Sequence, residues 1–229
     1  MSELGLTRAS EPFRFSTRVH LRELTGLRAR NLFEFVEHLK KVPGSVIYHH
    51  THHYLQQHQY QMPEAPNDFA YWITEILQER SLGEKIASIN LCDFTSIRAL
   101  REEIVTVLSN YLEKNRKKLR EVNEGEEFHF VKSISFVLPT PYVVYDLREF
   151  TAVLKKITIH SIYFHTFEAR LRLEKGINDF SHWVEMSLGE RQLAEKIAKL
   201  DPYTNTMEGL RTKMIQLIDL RIKEIECTG

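Results

Sequence analysis

Residues 128–145 read F-H-F-V-K-S-I-S-F-V-L-P-T-P-Y-V-V-Y. The opening F-H-F-V alternates as a strand does, and the run from Ser133 onward is rich in aromatic and β-branched residues that suit a pleated surface. Pro139 and Pro141 argue for a limited length, because proline brings no N–H to a strand ladder. The stretch therefore predicts a short extended segment. Its opening has a partner near the start of the chain, F-R-F-S at 13–16.

Working outward from these two openings, the chain matches itself. The offset that aligns Phe13 with Phe128 also aligns Asn31-Leu-Phe-Glu-Phe35 with Asp146-Leu-Arg-Glu-Phe150, and Leu39-Lys-Lys41 with Leu154-Lys-Lys156. It aligns His50-Thr51 with His165-Thr166. After a short deletion, Asn67-Asp-Phe69 and Trp72 match Asn178-Asp-Phe180 and Trp183, and Leu82–Ala87 matches Leu193–Ala198. Matches in one order at nearly constant spacing mark an internal duplication. The repeats would occupy residues 13–112 and 128–229, with 1–12 as a flexible lead-in and the charged run 113–127 as a linker or helix extension.

Each repeat continues into helices. Asn31 and Asp146 are natural N-caps, and Asp146 has Glu149 three residues on, in the manner of a capping box. Helices should run from there to about Lys41 and Lys156. Ser45 and Ser161 would cap the next helix, and the Asn-Asp pairs the one with the tryptophan. Ile97, Leu100, Ile104, Leu108 and Tyr111 then recur at helical spacing, as do Leu210, Met214, Leu217 and Leu220. The fold expected is mainly α: two tandem helical-bundle repeats, each led by a short extended or β segment and related by an approximate twofold axis.

The order F-x-F, a helix ending in L-K-K, S-x-Y/F-H-T, N-D-F-x-x-W and L-x-E-K-I-A resembles an uncharacterised prokaryotic family, domain of unknown function 5752. The resemblance covers nearly the whole chain as two copies, the first the closer. It implies no activity and supplies no catalytic residues.

The 229 residues carry 31 basic and 31 acidic side chains, so no global field favours nucleic acid or an anionic membrane. Cys92 and Cys227 stand far apart and read as free thiols. There is no signal-like start and no apolar run of membrane-spanning length, so the chain reads as cytoplasmic. Phosphate-loop, dinucleotide and nucleophile-elbow motifs are absent. Homo-oligomer formation through the long helices is open, but no heptad seam supports it.

Chemistry concentrates in two places in the first repeat. Residues 48–58 read Y-H-H-T-H-H-Y-L-Q-Q-H. On an α-helix His50, Thr51, Tyr54 and His58 share the more apolar face, whereas His49 and His53 lie four apart on another. His50 recurs as His165, each with an Asn-Asp pair downstream, and reads either as a core imidazole bonded to a backbone carbonyl or to the Asp68 or Asp179 cap, or as a catalytic or ligand-binding group. His49 and His53 have the spacing by which a helix offers two imidazoles to a divalent metal such as zinc, iron or manganese. Glu34, Glu37 or His38 on the preceding helix, or else His50 or His58, could complete that site.

The second place is the arm F-R-F-S-T-R-V-H-L-R-E-L-T-G-L-R-A-R-N at 13–31, with Arg14, Arg18, Arg22, Arg28 and Arg30 against Glu23 alone. Planar guanidinium forks suit carboxylate and phosphate. The plainer reading pairs them with surface acids at little energetic value. Together these features suggest a binding, regulatory or adaptor protein that recognises an anionic small molecule, phosphorylated or carboxylated, or a partner protein. Its site would be Arg18, Arg22, Arg28, Arg30, His50 and Tyr54. The alternative is a metal-dependent enzyme built on His49 and His53.

Overall fold

The computed structural model describes residues 6–54, 66–115, 120–169, 177–200 and 206–228; His58 lies outside them. Strand β1 spans Phe13–Ala29 and strand β2 spans Phe128–Val144, and the two pair as a two-stranded sheet. Thr25 Oγ1 donates to Phe130 O at 2.6 Å, His20 Nδ1 meets Ser135 Oγ at 2.9 Å, and Thr140 Oγ1 donates to Phe15 O at 2.8 Å. Positions rise along β1 as they fall along β2, so the pair is antiparallel.

This corrects the expected fold class. Helices predominate among the described residues, but the two strands, 17 residues each, form that sheet, so two tandem helical bundles with short extended leaders do not describe the chain, nor is it all-α. The prolines misled for a physical reason. In a two-stranded sheet each strand has an outer edge, where a missing N–H removes no ladder bond. The arginine arm, expected as a lead into the first helix, is itself most of β1.

The chain divides into two compact units, residues 20–135 and residues 1–19 with 136–229. Both strands contribute to both units. In the 20–135 unit, Phe128 and Phe130 of β2 are buried against Phe35, Phe69 and Trp72. Ring centroids lie 5.0 Å apart for Phe35–Phe128 and 5.6 Å for Phe69–Phe128. Trp72 Nε1 donates to Glu126 O at 2.9 Å. In the other unit, Phe13 and Phe15 of β1 are buried with Phe150, Phe180 and Trp183, and Trp183 Nε1 donates to Glu11 O at 2.9 Å. Each F-x-F thus docks on helices that follow the other F-x-F in sequence. Burying one phenylalanine is worth about 1.5–3 kcal/mol, enough for each pair to anchor its half-strand.

Residues 6–12 are tied down ahead of β1. Ala9 is buried and its N–H donates to Tyr145 O at 2.7 Å, while Arg8 lies over the Tyr145 ring. The helix Ile97–Asn115 carries the expected apolar stripe, with Leu100, Ile104 and Leu108 buried. Beyond it, Val122 is buried and its N–H donates to Arg30 O.

Caps follow the sequence closely. Asn31 Oδ1 accepts from Glu34 N–H at 2.9 Å and Asp146 Oδ1 from Glu149 N–H at 2.8 Å. The glutamates reach past the cap, to Arg30 N–H and Tyr145 N–H. The first helix ends at Lys41 as expected, and its counterpart at Leu154. Ser45 and Ser161 are not caps: the next helices span Gly44–Tyr48 and Ile159–Tyr163, with Pro43 and Thr158 at their N-caps. No helix among the described residues is long and apolar enough to cross a membrane.

Candidate functional site

The helix Gly44–Tyr48 continues into a π-helical turn, His49–His53, and the helix Ile159–Tyr163 into another, Phe164–Glu168. A threonine sits at the centre of each. Thr51 Oγ1 donates to Ile47 O and Thr166 Oγ1 to Ile162 O, both at 2.7 Å. A hydroxyl on the carbonyl four residues back competes with the helical N–H and favours a wider turn. The wider turn buries all five residues of each segment. Faces assigned from α-helical spacing therefore fail here, and His49 and His53 are as enclosed as His50.

His50 Nδ1 lies 2.7 Å from Asp68 Oδ2, and Val131 N–H of β2 donates to His50 Nε2 at 3.0 Å. An imidazole that accepts at Nε2 must donate from Nδ1, so the ring is a neutral, fixed tautomer. His165 repeats the arrangement with Asp179 Oδ2 at 2.7 Å and Ser16 N–H of β1 at 2.8 Å. In both places the histidine clamps a strand backbone to a helix N-terminus, and both ring nitrogens are engaged within the protein.

Around this shared clamp the two turns diverge. His49 Nδ1 meets Ser133 Oγ at 2.8 Å, and its ring lies 5.2 Å from that of His53. The His53 ring is 4.4 Å from His20, which also reaches Tyr48 Oη and Ser135 Oγ. His52 stacks on Tyr48. Burial, and then the fields of His50, His53, Arg22 and His20, push the His49 pKa down from 6.5 to about 3. Of these neighbours Arg22 carries a permanent positive charge. In the other turn Phe164 and Phe167 occupy the places of His49 and His52, Glu168 that of His53, and Arg18 that of Ser133. Arg18 Nη1 lies 2.6 Å from Glu168 Oε2, with its guanidinium over the Phe164 ring, and Glu168 is only 1% exposed.

The arginines expected in one site are dispersed. Arg22 is exposed and acts on the His49 cluster. Arg18 is committed to Glu168. Arg28 and Arg30 face Glu127, whose carboxyl is held low first by the Glu127 and Gly125 backbone N–H groups and further by these two arginines. Tyr54, half-buried at the end of the histidine turn, lines a separate cleft.

The groups expected to complete a metal set with His49 and His53 are engaged elsewhere. Glu34 accepts from Arg30 N–H, Glu37 pairs with Lys40 and Lys41, and His38 packs edge-on to Phe130. Among the described residues no group of three or more His, Cys, Asp or Glu side chains is arranged to hold a metal ion. His20, Ser133 and Ser135 are the residues that sequence reasoning did not single out. They reach the turn from β1 and β2, which pair beside it within the 20–135 unit. The one available signal was His20 itself, set between Arg18 and Arg22.

Fold and site together define an α+β scaffold in which a paired ribbon of two long strands is clamped by buried histidines paired with partly exposed aspartates, one clamp being surrounded by further imidazoles. The chain belongs to the family of unknown function DUF5752, whose model matches residues 10–219. It is also similar to a solved structure described as "The structure of OrfY from Thermoproteus tenax". That chain is 26% identical, with a TM-score of 0.78 over 93% of this chain and 97% of the other. No curated protein matches significantly.

Proposed function

We propose that this is a cytoplasmic binding or regulatory protein whose ligand is a small anion, a carboxylate or phosphate, received at Arg22, His20 and the histidine turn. The observation that carries the reading is the difference between the two turns. The Phe164–Glu168 turn contains its own carboxylate, Glu168, paired with Arg18. The histidine turn has Arg22 and several imidazoles, and the neighbours that lower the His49 pKa are bases. An external anion would do there what Glu168 does in the other turn.

Charge-assisted hydrogen bonds from a guanidinium and from imidazole N–H groups are the usual means of holding such a ligand. Arg22 and Ser135 are exposed and His20 is partly so, which gives an approach from solvent. His50 takes no direct part, since its ring holds the strand in place behind the site.

Calorimetric titration of the full chain with inorganic phosphate and with succinate tests this. Saturable binding of one of them, weakened at least tenfold by Arg22→Ala, is expected. Binding of neither, or equal binding by the variant, would overturn it.

A further inference from the structure

We propose that a second binding site, for a small organic cation, lies in the 20–135 unit, in a cleft of about 500 Å³ between the segment Asp68–Ile76 and the helix Arg80–Ala87. That size is within the range of small-molecule sites. Its lining combines the two phenol rings of Tyr54 and Tyr71 with the carboxylates of Glu75 and Glu84, and among the described residues contains neither lysine nor arginine. Tyr71, Glu75 and Glu84 are exposed at the rim, and among the described residues neither glutamate side chain has an ion-pair or hydrogen-bond partner.

The floor is made of small residues, and its depth depends on one of them. A methyl group added at Gly83 would lie 1.9 Å from Thr74 Oγ1 and 3.3 Å from Ala70 O, so the helix Arg80–Ala87 lies against its neighbour as closely as backbone permits. This leaves the longer side chains to wall the opening. An ammonium or guanidinium group on an apolar stem matches that arrangement: the stem meets Ala70, Gly83 and Ala87, the cation meets phenol faces, and the carboxylates neutralise it. Burial, with Asp68 and Tyr71, raises the Tyr54 pKa, in keeping with an electronegative cleft.

The other unit repeats this chemistry only at Glu84, whose matching position carries Glu195. Where the cleft has Tyr54, Tyr71 and Glu75, the matching positions carry Ala169, His182 and Met186. The aromatic wall and the second carboxylate are therefore particular to one unit rather than a requirement of the shared packing.

Two sources share this chemistry, a free amine and the basic side chain of a peptide. Calorimetric titration of the full chain with agmatine, with spermidine and with an acetylated, amidated arginine tripeptide separates them, with sodium chloride at equal ionic strength as the control. Saturable binding of at least one of these is expected, preference between free amine and tripeptide naming the source. Glu75→Gln/Glu84→Gln should weaken it at least tenfold and Tyr71→Ala at least threefold, with the melting temperature of these surface variants unchanged. Absence of binding by all three, or binding that the double glutamine variant leaves unaltered, would overturn the proposal. Neither result bears on the anion site, because Arg22→Ala should leave amine binding unchanged.

Discussion

The turns His49–His53 and Phe164–Glu168 have the same backbone, the same central threonine and the same His-Asp clamp on a strand, yet they solve the problem of a buried polar interior in opposite ways. One neutralises a guanidinium with an internal carboxylate, Arg18 with Glu168. The other gathers imidazoles around His49 and keeps that ring uncharged. The shared parts are what the ribbon needs to stay attached, and the differing parts are where a ligand can enter. Repetition of His50 as His165 is thus a sign of architecture.

The comparison breaks most sharply at the charged pair. Arg18→Met leaves the Glu168 carboxylate buried without its guanidinium and should cost about 3–5 kcal/mol in urea unfolding. Ser133→Ala, at the matching position, removes only a hydroxyl from His49 and should cost about 1 kcal/mol. Equal losses would show that the two turns are not built differently after all.

The clamps should behave alike. His50→Leu strands Val131 N–H and Asp68, and His165→Leu strands Ser16 N–H and Asp179, so each should lose about 2–4 kcal/mol. A clamp that matters in one unit alone would contradict the structural role assigned to both.

The pH response should differ between the turns. Because the His49 pKa is depressed in the folded state, the folded chain binds fewer protons than the unfolded one as pH falls below 6.5. The stability held above that pH is lost progressively as pH falls toward 3, by a total on the order of a few kcal/mol. His49→Phe, which copies Phe164, should flatten the dependence measured by urea unfolding between pH 7 and 4. A smaller effect is expected at Gly83, where Ala would force Thr74 aside at about 1–3 kcal/mol, while the matching Ala194 already carries its methyl group.

Four helix caps were legible because they depend on neighbours in sequence, Asn31, Asp146, Asn67 and Asn178 each accepting a backbone N–H three residues on, whereas Pro43 and Thr158 hold the places expected of Ser45 and Ser161. The F-x-F pairs were legible as anchors but not in their destinations. Phe13 packs with Trp183 and Phe128 with Trp72, and nothing local distinguishes these partners from the tryptophans of their own repeats. The length of β1 was hidden for the same reason, since its pairing partner lies more than a hundred residues away. Of the site, the histidine cluster was visible by composition. Its sorting into faces was not, because the π turns replace α-helical spacing where it mattered.

The role proposed for an external anion is to stand in the histidine turn where Glu168 stands in the other. It is tested most directly by transplanting the internal pair, His53→Glu with Ser133→Arg, and titrating wild type and variant with inorganic phosphate and succinate under identical conditions. Saturable binding by the wild type and none by the variant, whose new carboxylate already fills the place, is expected. Undiminished binding by the variant, or no binding by either protein, would contradict it.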